Sequence, residues 1–214
     1  MVQARLHLVL PAVGAAADLL ARLDAAMSAG DIASVFLPVK DAADRAGRGF
    51  VKAVASLVQD RGAALLIEDP RLAARLGADG VHVRRTDSAM SDALDSLKPE
   101  RIVGVGGLLS RDDAMRAGEA GADYLMFGET ANGTASSDRA ATLEQVGWWA
   151  VIFNVPCIGF AAELGDVEGL AGAGAEFVAL ADAVWRDPRG PAAAVQEASS
   201  ALVRAHARLT AERV

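Results

Sequence analysis

Three stretches of the chain carry nearly the same word: LGADGVHV at 76–83, AGADYLMF at 120–127 and, more loosely, AGAEFVAL at 173–180. Each sets a Gly, an Ala and an acid before a run of β-formers. Gly is the usual end of a helix, where the backbone takes a positive φ that other residues avoid. The Ala and the acid suit a tight turn, and the apolar run suits a strand buried on both faces. A chain that repeats this junction is built from repeated helix-to-strand returns, the connection that parallel strands require. On this reading Asp79, Asp123 and Glu176 are turn residues, and the words mark one end of the fold.

The rest of the chain follows the same rhythm. Short Leu-, Ile- and Val-rich runs at 5–11, 34–40, 64–69, 80–83, 102–107, 124–129, 156–161 and 177–182 read as strands. Stretches with helical spacing of apolar residues fall between and after them, at 15–30, 49–62, 70–77, 88–98, 110–121, 142–153, 167–174 and 191–209. Eight strands, each followed by a helix, predict a single (β/α)8 TIM barrel spanning 1–214. A doubly wound open sheet is the alternative, but LVLPAVGAAAD lacks the Gly-rich fingerprint expected after its first strand.

Composition bounds the function. The formal net charge of -7 argues against a nucleic-acid binder. It leaves room for a small anionic ligand, because backbone N–H groups can hold a phosphate. Cys157 is the only cysteine, so no internal disulfide and no multi-Cys metal site can form, and its apolar surroundings predict a buried thiol. No apolar run approaches the roughly 18 residues of a membrane span, and MVQARLHLVLP reads as a strand rather than a signal. A soluble cytoplasmic protein without membrane or nucleic-acid partners is expected.

In a barrel of this kind chemistry gathers where the strands end. Those ends carry Lys40, Glu68 and Asp69, His82, Arg84, Arg85 and Asp87, Gly106, Glu129, Ala161, Ala162 and Glu163, and Asp182. A flexible loop, ANGTASSD, follows the sixth strand. Asp69 and Asp87 each precede a helical run, so each is a candidate cap as well as a candidate ligand. His82 alternates inward and is expected to pack inside the barrel. Arg84 and Arg85 point oppositely, so only one faces the centre. It is placed either to bind phosphate or to pair with Glu68 or Asp87.

LLIEDPRLAARLGADGVHVRRTD, RIVGVGG and GADYLMFGE, taken together, resemble the thiamine phosphate synthase family from Ala64 to Asp182 at least. The resemblance implies an enzyme that joins a pyrimidine diphosphate to a thiazole phosphate, with Mg²⁺ on the diphosphate and pyrophosphate leaving. It implies metal binding by Asp69 and Asp87. It also implies substrate and phosphate binding by Lys40, Gly106, Ala161, Ala162 and Asp182, with Arg84 added. Several positions depart from the family pattern. Phe36 and Pro38 stand for Gln and Arg, Glu68 and Pro70 for Asn and Arg, and Gly106 for Ser. Ala161 and Ala162 stand for paired Gly, and Asp182 for Ser. Arg139 is the one cation near the place of the family's loop Lys. These losses predict weak or absent synthase turnover. A thiazole tautomerase, with His82, Glu129 or Glu163 as base, is one alternative; a non-catalytic protein that binds a small phosphorylated ligand is the other.

Overall fold

A computed structural model describes residues 3–11, 16–39, 45–84, 87–130 and 132–211. Its eight strands are β1 (Arg5–Val9), β2 (Ile32–Leu37), β3 (Ala64–Ile67), β4 (Gly80–Arg84), β5 (Ile102–Gly106), β6 (Tyr124–Phe127), β7 (Cys157–Ala161) and β8 (Phe177–Leu180). They pair in chain order, all parallel, and β8 closes onto β1. The expected closed barrel is therefore the observed one.

The helices are α1 (Ala16–Met27), α2 (Arg45–Gln59), α3 (Pro70–Leu76), α4 (Asp87–Leu97), α5 (Arg111–Glu119), α6 (Arg139–Ile152), α7 (Val167–Gly172), α8 (Asp182–Trp185) and α9 (Pro191–Ala211). α1 shows why they coat the barrel. Leu19, Leu23, Ala26 and Met27 lie on one helical stripe and are all buried. Each large side chain of that kind contributes about 1.5–3 kcal/mol by leaving water. Strand residues of one parity, such as Leu6 and Leu8 or Val103 and Val105, meet this helical layer. Residues of the other parity, among them Val9, Phe36, Leu66, Tyr124, Met126 and Phe160, form a separate core inside the barrel.

The repeated word does its work at the end where strands begin. Gly77, Gly121 and Gly174 take φ of 77°, 97° and 109°, the left-handed geometry expected of them. The acids do more than turn the chain. Asp79 accepts the Leu65 N–H at 2.7 Å, Asp123 accepts the Val103 N–H at 2.8 Å, and Glu176 accepts the Cys157 N–H at 2.9 Å. Each acid thus stands at the entry of an even strand and clasps an N–H in the first two residues of the odd strand before it. Asp31, before β2, holds β1 through two 2.7 Å bonds from the Arg5 guanidinium. Cys157 is buried as expected, and burial together with the Glu176 charge pushes its thiol above the ordinary range.

Two local expectations are corrected. A short helix, α8, intervenes before the long closing helix, so Asp182 begins a helical turn rather than ending a strand. Trp185 ties that turn to the barrel by donating its indole N–H to the Val9 carbonyl at 2.6 Å. The loop after β6, expected to be flexible, folds back as a small hairpin. Glu129 and Ala135 form an antiparallel bridge, Ser136 donates its N–H to the Gly128 carbonyl at 2.7 Å, and Thr130 donates to the Thr134 carbonyl at 2.9 Å. Ala135 then packs against the core inside the barrel.

Candidate functional site

The strands end around a cavity of about 500 Å³. Pro38, Arg84, Gly133, Ala161, Ala162 and Asp182 are among its walls. The three clasping acids lie at the other end of the barrel, as their position ahead of the strands requires.

The floor of this mouth is polar and tightly paired. The Arg84 guanidinium donates through Nε to Glu129 Oε1 at 3.1 Å, and its Nη1 lies 2.9 Å from Glu68 Oε1. The other Glu129 oxygen lies 3.1 Å from His82 Nε2. On the far side of the imidazole, Nδ1 lies 2.8 Å from the Tyr124 hydroxyl, and the two rings stack with an interplanar angle of 12°. A chain of contacts thus runs from Tyr124, deep in the barrel, through His82 and Glu129 to Arg84 at the cavity wall. Burial keeps the Tyr124 phenol protonated, and the Glu129 and Asp123 charges push the same way. That phenol can donate to Nδ1 and leave Nε2–H to donate to Glu129. Burial alone would raise the Glu129 carboxyl, but His82 and Arg84 outweigh it and hold the group below the usual carboxylate range.

Gly106 makes this arrangement possible. A β-carbon there would collide with Glu129 Oε2 and come within 2.7 Å of His82 Nε2. Gly133, in the β6 hairpin, lies over the guanidinium, where a β-carbon would come within 2.6 Å of Arg84 Cζ. The register explains the meeting of these residues: Arg84 pairs with Gly106 across β4 and β5.

The other candidates are placed as follows. Asp69 is the N-cap of α3, accepting the Leu72 N–H at 2.8 Å through one oxygen. Asp87 begins α4, but its side chain lies outside the described residues, as do Lys40 and Arg85. Ala161 ends β7 and Ala162 follows it, both at the cavity wall and neither with positive φ. Asp182 is exposed and pairs with Arg186 at 3.2 Å. Arg139 turns away from the mouth and pairs with Asp166 at 2.8 Å. Phe36 points into the barrel with its ring 4.9 Å from that of His82. Among the described residues no three His, Cys, Asp or Glu side chains gather closely enough to form a metal centre by themselves.

As for a general base, His82 is fully buried with both ring nitrogens engaged, and each Glu129 oxygen already has a partner. Glu163 is exposed beyond β7.

Two polar residues inside the barrel escaped the sequence reading. Tyr124 is one. The other is His7, wholly buried, with Nδ1 2.7 Å from Ser34 Oγ and no hydrogen-bond partner at Nε2 among the described residues. Burial above all, with a smaller push from the neighbouring His82 imidazole, lowers His7 from its ordinary 6.5 to about 3, so it is neutral. The available signal was parity: His7, Ser34, His82 and Tyr124 all fall on the inward-facing positions of their strands.

A family described as thiamine monophosphate synthase matches residues 6–184. A thiamine-phosphate synthase of Rhodospirillum centenum is 41% identical over 202 residues, covering 92% of this chain and 97% of the relative. One from Hyphomonas neptunium is 35% identical over 200 residues, covering 90% of each. Among solved structures, a thiamine phosphate pyrophosphorylase from Pyrococcus furiosus superposes with a TM-score of 0.76 at 17% identity, over 95% of this chain and 97% of that one. A 3-hexulose-6-phosphate synthase from Salmonella typhimurium superposes with a TM-score of 0.72 at 16% identity, over 94% and 99%.

Proposed function

We propose, from the premise that the chain belongs to the thiamine monophosphate synthase family, that it is a cytoplasmic thiamine phosphate synthase-like protein whose mouth binds phosphorylated thiamine precursors and whose synthase turnover is weak or lost. The observation that carries the second half is the pairing of Arg84. Joining a pyrimidine diphosphate to a thiazole phosphate expels pyrophosphate, and the departing charge must be met by cations placed for it. Arg84 faces the mouth, but its charge is spent on Glu68 and Glu129, both largely buried. Arg186, the other described cation on the wall, is paired with Asp182.

The chain's own groups suit a less charged task. Ala161 and Ala162 line the wall, and their backbone N–H groups would be the donors for a single phosphate there. Beside this polar floor the barrel is apolar around Val9, Phe160 and Ala179.

Mg²⁺ fits what the rim offers. It is a hard cation that takes one or two protein carboxylates and fills its octahedron with water and phosphate oxygens. Asp69 commits one oxygen to its cap and leaves the other for such a role. Asp69 and Asp87 are the residues that would hold the ion. When bound, it would neutralise charge on a diphosphate.

The test is to supply hydroxymethylpyrimidine diphosphate, thiazole phosphate and Mg²⁺ and to follow thiamine phosphate and pyrophosphate. The Rhodospirillum centenum relative serves as reference. We expect thiazole phosphate to bind and turnover to fall at least about 100-fold below the reference, the scale of losing one well-placed charge-stabilising group. Turnover equal to the reference refutes the weak-activity reading. Failure of both precursors to bind refutes the functional reading itself.

A further inference from the structure

We propose that Glu68, Arg84 and Glu129 form a charge lock that sets the ligand class of the mouth, admitting a monophosphate and rejecting a diphosphate. The proposal rests on the reading of the mouth as a site for phosphorylated ligands, and it names the residues that choose among them.

Three observations carry it. First, the guanidinium is anchored at two points, Nε to Glu129 at 3.1 Å and Nη1 to Glu68 at 2.9 Å, and Gly133 lies over one face. A guanidinium has five N–H donors, so anchoring leaves Nη2 and part of Nη1 to offer hydrogen bonds. The side chain is 25% exposed, and it lines the cavity, so those donors are within reach of a ligand. Secondly, the anchors are carboxylates with little exposure, 12% for Glu68 and 2% for Glu129. Buried charges are screened little by salt, so both act on whatever enters the mouth. Thirdly, the cluster carries two carboxylates for one guanidinium. The guanidinium at the cavity wall is therefore a fixed donor array backed by an excess of one negative charge within these three residues, unlike a bare arginine. Such an array can hydrogen-bond one phosphate group but opposes each further negative charge that approaches. The collision of any Gly106 β-carbon with Glu129 shows that the lock needs a particular neighbour and is part of the packing of the strand ends.

Charge interactions over several ångströms at a part-buried site amount to a factor of about ten per carboxylate on a ligand gaining a charge or two. The experiment is calorimetric titration of the full chain with inorganic phosphate and with pyrophosphate, without metal. The proteins compared are the native chain, Glu68→Gln, Glu129→Gln and Glu100→Gln. Glu100 is an exposed carboxylate ahead of β5, at the opposite end of the barrel, and controls for overall charge. The native chain should bind pyrophosphate no more tightly than phosphate. Glu68→Gln and Glu129→Gln should each tighten pyrophosphate about tenfold and change phosphate by less than about threefold. Glu100→Gln should change neither. Should Glu129→Gln fail to fold, Glu68→Gln, at the less buried of the two anchors, decides alone. An unchanged pyrophosphate-to-phosphate ratio in Glu68→Gln overturns the lock, as does an equal gain in Glu100→Gln or the absence of anion binding in all four proteins. Titration with thiazole phosphate separates this from the functional reading. If the variants gain pyrophosphate but thiazole phosphate never binds, the lock stands and the thiamine reading falls. If thiazole phosphate binds and the ratio is unchanged, the reverse holds.

Discussion

Placing Ser at position 106 tests the construction of the floor. The new β-carbon would overlap Glu129 Oε2 and approach His82 Nε2 and Cε1 to 2.7 and 2.9 Å. Glu129 is the far end of a flexible side chain, which usually moves cheaply. Here it cannot move without breaking its contacts to both His82 and Arg84. Removing one partner of a buried pair costs about 3–5 kcal/mol, and crowding a packed core about 1–3. Because Glu129 would be displaced rather than deleted, Gly106→Ser should cost about 3 kcal/mol. In a Glu129→Ala background the carboxylate is gone and only the His82 contact remains, so the same substitution should cost about 1 kcal/mol. Urea unfolding of the four proteins of this cycle gives a coupling energy, expected at about 2 kcal/mol, well above the roughly 0.5 kcal/mol scatter of independent sites. A cost for Gly106→Ser that is equal in both backgrounds would refute the idea that Gly106 exists to admit Glu129.

The buried neutral His7 predicts an acid-sensitive fold. Its folded value is depressed from 6.5 to about 3, so between those limits the unfolded chain takes up the proton more readily. Stability is complete above that window and falls as pH drops through it, by about 1.4 kcal/mol per pH unit from this group. At about pH 5 the loss is roughly 2 kcal/mol relative to neutrality, and urea midpoints for the native chain and His7→Gln should converge as pH falls; parallel lines would count against it. At the opposite end of the barrel, Asp123→Ala removes the acceptor for the Val103 N–H and the partner of Lys98. It should cost about 1–3 kcal/mol in the same assay, more than Asp123→Asn, which keeps a carbonyl acceptor; equal losses would show that the clasp depends on charge rather than on the hydrogen bond.

What could be read from the chain divides along physical lines. The barrel was legible because its signals are local. Gly77, Gly121 and Gly174 stop helices, and apolar runs of four to six residues follow. Asp69 as a helix cap was legible for the same reason, since Leu72 lies three positions away. The floor of the mouth was not. Arg84 was expected to choose between a phosphate and a carboxylate, but its second anchor, Glu129, lies 45 positions along the chain. That distance closes only through the registers of β4 with β5 and of β5 with β6. The α8 turn was missed because four residues are too short to show a helical period.

The clasps at the bottom of the barrel have a consequence for how the chain can be divided. They bracket strands two by two: β1 with β2, β3 with β4, β5 with β6, and β7 with β8. The turns that enter β3, β5 and β7 carry Ala63, Arg101 and Pro156 in place of an acid. The ring is thus four acid-clasped couples joined at borders that lack the acid, and these borders are the places where it divides most simply. A chain nicked between α4 and β5 would leave two halves, each holding two complete couples, to rejoin there through strand pairing and the bond from the Arg101 guanidinium to the Ala78 carbonyl. A nick between α3 and Asp79 would instead divide the couple of β3 and β4 that Asp79 holds together, and reassembly would have to recover that stitch across a break.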